Sequence, residues 1–210
     1  MRILRMKLLL QFSVSLTLIA LRPVATHPQT VLTFDDLTAP LEGRAIPNGY
    51  GGLNWSNFWV ANSVLMSNFY GYSIGYNYGM VSPSNVAYDA GGTPAEIDSA
   101  TNFNFLSAYL TGAWNSNLNI EVEGFNGAEE IYNTIVVASA TNPTLFTFNY
   151  LDIDRLYFNS YGGQVAFGPS PGYNFVMDNM GYEFVPEPSS FLLAALGAMS
   201  LVAFLRRKRG

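Results

Sequence analysis

Four carboxylates stand in two close pairs in a chain otherwise sparse in reactive groups: Glu121 with Glu123, and Asp152 with Asp154. Two acids across a cleft are all that a glycosidase requires, one to protonate the leaving oxygen and one to activate water or attack the sugar. Within each pair, however, the spacing of two puts both side chains on one face of a strand, which is also how the wet face of a sheet reads. Nothing in the sequence raises the pKa of one member above the other, as acid catalysis requires. Other chemistries lack their parts. With one histidine, His27, and no cysteine, a Ser-His-Asp triad, a thiol nucleophile and an ordinary zinc site cannot be assembled. No glycine loop followed by lysine is present to hold a nucleoside triphosphate.

Two further constellations point to binding. Trp55, Phe58, Trp59, Phe69, Tyr70, Tyr72, Tyr76 and Tyr78 crowd one stretch together with Asn and Gly. Flat rings stack on sugar rings and Asn amides bond hydroxyls, so Trp55, Trp59 and Tyr76 are candidate ligand-binding residues. The competing reading makes them core and loop packing, because buried aromatics dominate the energetics of small β domains. The acids in "FDDL" and "MDNM" form the second set. First and last strands of a sandwich often lie side by side, so Asp35 or Asp36 could meet Asp178 and Asn179 around a hard cation with oxygen ligands. Asp36 and Asp178 are the candidate ligands of a structural Ca²⁺; turn capping by the same side chains is the alternative.

The elements that must position these groups are strands. In "NLNIEVEGFNG", Leu118, Ile120 and Val122 face one way and Asn119, Glu121 and Glu123 the other, the alternation of a half-buried strand. Gly124 to Gly127 is a plausible turn, with "IYNTIVVAS" as the β-branched return strand of a hairpin. "TVLTFDDL", "LNWSNFWV", "NFNFLSAYL", "LFTFNY", "IDRLYFNS", "GQVAFG" and "YNFVMDNMGYEF" are further strand candidates, separated by clusters such as "AIPNGYGG", "AGGTP" and "GPSPG". No stretch between His27 and Val185 has helical periodicity, and "NFYGYSIGYNYGMVSPSN" reads as a long surface loop with aromatic anchors. The expected fold is all-β, an antiparallel β-sandwich of jelly-roll-like size.

The two ends are of another kind. Residues 1–26 run from Arg2, Arg5 and Lys7 through an apolar stretch to small residues at Ala25 and Thr26, the order of a secretory signal peptide. Residues 191–205 are fifteen residues without a charge, a helix of about 22 Å. That falls short of the ~30 Å of bilayer hydrocarbon unless Arg206, Arg207, Lys208 and Arg209 snorkel at its exit. The same cluster keeps that end cytoplasmic. The chain thus divides into a signal segment (1–26), a body (27–185) and a tail (186–210). The body carries two cations, Arg44 and Arg155, against fourteen acids, a net charge of −12, which excludes nucleic acid as a partner. Without cysteine it has no disulfide staples.

The tail "VPEPSSFLLAALGAMSLVAFLRRKRG" resembles the PEP-CTERM sorting signal of exported bacterial proteins: Pro186, Glu187 and Pro188, then a transmembrane helix, then a basic stop. The resemblance implies cleavage near the motif by an exosortase-type membrane protease in bacteria that make extracellular polysaccharide. It implies a temporary anchor in the cytoplasmic membrane, then residence at the cell surface or in the extracellular matrix. "AIPNGYGGLNWSNFWV", "GFNG" and "FVMDNMGYEF" resemble the jelly-roll ectodomains of such proteins, similar in outline to carbohydrate-binding sandwiches. The expected role is a non-enzymatic surface or matrix protein associating with exopolysaccharide or biofilm matrix. The rival is a secreted glycan-cleaving enzyme with an Asp/Glu pair.

Overall fold

The computed structural model of the chain describes residues 28–186, 196–201, 204 and 207. The expected signal peptide, and the start of the expected transmembrane helix, lie outside the described residues. Among the described residues up to 186, twelve strands and two α-helices follow one another: β1 (Thr30–Leu32), β2 (Arg44–Ala45), β3 (Asn54–Ser56), β4 (Phe58–Asn62), α1 (Ser63–Tyr70), α2 (Gly75–Tyr78), β5 (Asn85–Asp89), β6 (Ala95–Gly112), β7 (Asn115–Ser116), β8 (Leu118–Asn126), β9 (Glu129–Ala138), β10 (Thr144–Tyr161), β11 (Gln164–Val165) and β12 (Phe175–Phe184). Ten strands make one antiparallel sheet in the order β2-β4-β5-β12-β6-β10-β8-β9, with β1 beside β12 and β3 beside β6; β7 and β11 form a separate ribbon.

Two strands of 18 residues, β6 and β10, carry the architecture. The first part of β6 pairs with β3 and the end of β10, while its second part pairs with β12 and the start of β10. "LFTFNY" and "IDRLYFNS", expected as separate strands, are both parts of β10. Asn149 (φ 52°) and Asp152 (φ 59°) look like turn residues but sit at register shifts within the strand, and bulges of this kind bend a strand without ending it. The sheet therefore folds over so that strands remote in the order share a core. Phe58 of β4 packs edge-on against Phe158 of β10 at 5.5 Å between ring centroids, and the same apolar cluster holds Leu118, Ile120 and Val122 of β8. These three are fully buried while Asn119, Glu121 and Glu123 alternate outward, as the sequence pattern predicts. The all-β, antiparallel class is thus as expected, while in place of two separate sandwich sheets ten strands form one sheet that is continuous through β6 and β10.

Two other local expectations change. "LNWSNFWV" is broken into β3 and β4 at Asn57, whose φ of 58° turns the chain and whose amide bonds Ala90, Thr93 and Pro94. The stretch expected as loop contains α1 and α2. Asn62 caps α1 by accepting from the Leu65 N–H at 3.0 Å, and Gly71 ends it in the left-handed region at φ 74°, the usual start and stop of a short helix. The apolar content of α1 is not gathered on a buried face: Val64, Leu65, Phe69 and Tyr70 are all exposed.

Candidate functional site

The exposed rings of α1 lie beside a second group of aromatics from elsewhere in the chain. Trp114, in the turn from β6 to β7, stands edge-on to Tyr70 with centroids 5.4 Å apart. Its carbonyl accepts the N–H groups of Ala166 and Phe167, which draws the segment between β11 and β12 over it. Asn115 fastens the stretch from Gly162 to Gly172, which includes β11, at both ends, donating to the Gly162 carbonyl at 2.8 Å and accepting the Gly172 N–H at 3.2 Å. A Cβ at Gly172 would come within 2.6 Å of Trp114 Cδ1, so only glycine lets the loop approach the indole this closely. The result is a groove of about 350 Å³ between Tyr70 and Tyr72 on one side and Phe167 with residues 168–172 on the other, floored by Trp114. Phe167 is stacked on Tyr78 at 5.9 Å and 12°.

Among the described residues no charged side chain lines this groove, and its polar groups are phenols, the Trp114 indole N–H, the Ser170 hydroxyl and backbone. Flat aromatic walls with few hydrogen-bonding groups fit an uncharged ring compound with an apolar face and equatorial hydroxyls. α2 supports the groove from below. The Gly75 N–H donates to the Ala113 carbonyl at 3.0 Å, and a Cβ on Gly75 would sit 2.0 Å from the Gly112 carbonyl oxygen.

The expected site residues fall around this groove more than in it. Trp55 is only 6 % exposed, its indole N–H given to the Tyr50 carbonyl and its ring set among Phe34, Tyr50 and Phe58. Tyr76 is 4 % exposed, packed between Tyr88 and Trp114. Neither ring has a free face to stack on a sugar. Trp59 is half-buried on β4 against the smaller apolar cluster. Tyr70 and Tyr72, from the same aromatic stretch, are the ones that reach the groove. Trp114 and Phe167 carry no periodic signal; what marks them in the sequence is an aromatic residue within a turn-rich stretch, "GAWNSN" and "AFGPSPG".

Asp36 and Asp178 have protein partners. Asp36 accepts the Tyr50 hydroxyl at 2.7 Å, and burial with the Asp36 charge beside it pushes the phenol far up its range. Asp178 is fully buried and accepts from Val81 N–H, Ser82 N–H, the Ser82 hydroxyl and Asn179 N–H at 2.7 to 3.0 Å. Burial raises its carboxyl above the ordinary range, and these donors oppose that rise. β1 does lie beside β12, but among the described residues no three His, Cys, Asp or Glu side chains converge as around a metal ion.

The acid pairs are spread over turns and open faces. Asp152 accepts from the Asn102 amide, Asp154 from the Gly127 N–H, and Glu121 from the Asn133 amide. The Glu123 carboxyl is raised by desolvation and by Glu130 and Glu121, with Arg155 opposing. A further acid is fully enclosed: Asp89 is buried as deeply as Asp178 and accepts the Phe175 N–H at 2.6 Å and the Ser160 hydroxyl at 3.1 Å. Burial pushes it well above the usual carboxylate range. It holds the end of the groove loop, where Ser160 also donates to the Tyr173 carbonyl at 2.6 Å.

At the other end of the chain, residues 184–209 match the PEP-CTERM protein-sorting motif family. The chain carries a PEP-CTERM sorting signal. Pro186 of its motif is described and exposed, and Glu187 and Pro188 lie outside the described residues. Residues 196–201 of the PEP-CTERM tail are helical, with Leu196, Met199 and Leu201 exposed. The Ser200 hydroxyl is turned back onto the Leu196 carbonyl at 2.7 Å, which satisfies a polar group inside an apolar helix. Among the described residues no helix is long and apolar enough to cross a membrane. No curated protein matches the chain. Among solved structures, TmCBM61 in complex with beta-1,4-galactotriose aligns at 10 % identity and a TM-score of 0.35, over 67 % of this chain and 95 % of that one. A score that low fixes neither topology nor ligand for this chain.

Proposed function

We propose that the protein is exported, held in the cytoplasmic membrane by its PEP-CTERM tail, released from that anchor by an exosortase-type protease, and retained at the cell surface or in the matrix by binding extracellular polysaccharide. The observation that carries the binding half is the uncharged aromatic groove between Tyr70, Tyr72, Trp114 and Phe167. A net charge of −12 on the body disfavours strongly anionic polymers, so the ligand is a neutral glycan chain. The role is binding without turnover: among the described residues no Asp or Glu lines the groove, and the acid pairs lie in turns and on an open strand face elsewhere.

The test is a glycan array together with a hydrolysis screen. Neutral polysaccharide should be retained and left uncleaved. Tyr70→Ala and Tyr72→Ala, exposed by 37 % and 48 %, should each weaken retention by about 1 kcal/mol or more if the rings are anchors while leaving the fold intact. Retention unchanged in both variants, or release of reducing ends, would overturn this reading.

A further inference from the structure

We propose that the outer edge of β9 pairs with the same strand of a second copy of this chain. β9 ends the strand order and is laddered only to β8; no hydrogen bond from a described residue reaches the backbone of its outer side. The remaining open edges are protected. β1, β2 and β3 are two or three residues long, and the first half of β10, which has β6 on one side only, is kinked by left-handed Asn149 and Asp152. From Tyr132 to Ala138, by contrast, β9 runs opposite Gly124 to Leu118 without a register shift. It contains no Pro, Gly, Lys or Arg there, the residues that blunt an edge in other sheets. Its outward face presents Ile135 and Val137, 52 % and 53 % exposed.

The partner follows from the strand's own pattern. Antiparallel pairing about a two-fold axis normal to the sheet keeps outward residues on the outward face, so it must be centred on a residue and not between two. Centring on Ile135 matches the whole regular stretch: Ile135 meets its own copy, Val137 meets Asn133, and Tyr132 meets Ala138. Glu129 and Glu130, the only charges of the strand, fall beyond the overlap at opposite ends. Because no other long regular edge is open among the described residues, the pairing closes as a dimer and does not propagate. One strand pair buries far less than the ~1,600 Å² of a stable complex, so the dimer forms where copies are concentrated on one surface, as the sorting tail concentrates them. Two bodies of −12 repel through solvent, and salt screens this beyond about 10 Å at 0.1 M; dimer should increase with ionic strength.

The chain has no cysteine, so introduced thiols report the register. Opposite residues in a strand pair have Cβ atoms about 4.5–5.5 Å apart, near disulfide reach. The full chain in lipid vesicles under mild oxidant should give several-fold more linked dimer with Ile135→Cys than with Leu151→Cys, which is equally exposed on the kinked edge. A mixture of Asn133→Cys and Val137→Cys chains should link to each other more than either links to itself, and adding Ile135→Lys to both should abolish that product. Equal yields at 135 and 151, no preference in the mixture, or indifference to the lysine would each overturn self-pairing. So would an undimerised chain whose Ile135→Cys form instead links to an added Thr-Val repeat peptide bearing one cysteine, which would assign the edge to a foreign strand.

Discussion

Changing either of two fully buried aspartates to asparagine should have unequal consequences, because their partners differ. Asp178 faces donors on both oxygens: Oδ2 accepts the N–H groups of Val81 and Ser82 at 2.7 and 2.8 Å, and Oδ1 accepts the Asn179 N–H at 2.7 Å and the Ser82 hydroxyl at 3.0 Å. Whichever way an asparagine amide is turned, its NH₂ points at a backbone N–H. Hydrogen bonds to a charged group contribute about 1.5–3 kcal/mol each. Exposed Val81 lets water replace part of the loss, leaving a deficit of about 2–4 kcal/mol, or about 5–15 °C in Tm for a body of this size. At Asp89 the carboxyl accepts the Phe175 N–H at 2.6 Å and the Ser160 hydroxyl at 3.1 Å, and that hydroxyl divides its single proton between Asp89 and the Tyr173 carbonyl at 2.6 Å. An amide at position 89 turns that contact round, its NH₂ donating to Ser160 Oγ and leaving the hydroxyl proton to the Tyr173 carbonyl, while its oxygen still accepts the Phe175 N–H, so Asp89→Asn should cost at most about 1 kcal/mol. Thermal and urea unfolding of residues 28–186, each with calcium and with chelator, provides the comparison. Equal deficits in the two variants would refute the donor count, and a deficit at 178 that appears only with calcium would make Asp178 a cation ligand with Asp36.

The stability of the body should peak on the acid side of neutrality. Burial raises the carboxyls of Asp89 and Asp178, and desolvation with neighbouring acids raises Glu123. Below the unfolded carboxylate range near pH ~4 both states are protonated; as pH rises toward the folded pKa values the unfolded chain releases protons first, and stability falls. Urea midpoints that rise from pH 5 to 8 would contradict this, and Asp89→Asn should flatten the decline. Gly172→Ala should leave the fold in place yet weaken glycan retention, because its Cβ meets Trp114 at 2.6 Å and pushes the loop off the groove floor; unchanged retention would show that the loop does not shape the site. Intact-mass measurement of protein from the host's surface should find a chain ending near Pro188, and a mass that includes Arg206 to Arg209 would refute processing.

What could be read in the sequence was what is contiguous in it. The β8–β9 hairpin shows itself because Leu118, Ile120 and Val122 alternate with polar residues along a single strand, and the sorting tail because its turn, apolar run and basic stop follow one another without interruption. β10 reads as two strands because Asn149 and Asp152 have the composition of a turn, and only pairing with β6 decides that they bend a strand and do not end it. α1 was hidden because Val64, Leu65 and Phe69 face water, so no buried stripe marks the helix; its identity rests on the Asn62 cap and Gly71. The groove is the least legible feature for the same physical reason. Tyr70 ends a helix, Trp114 sits in a turn, and Phe167 belongs to a loop that Asn115 and Asp89 hold in place through hydrogen bonds to backbone. No period links such residues, since none of them is positioned by the repeat of the element it follows. Trp55 and Tyr76 have the same side chains as a binding ring, and what separates them from Tyr70 is which rings lie above them: Phe34 and Phe58 close over Trp55, and Tyr88 closes over Tyr76. Tyr70 has Trp114 against it and an open groove on the other side. Residue type therefore names the chemistry a surface can do, and long-range packing decides which copies of that residue remain available to do it.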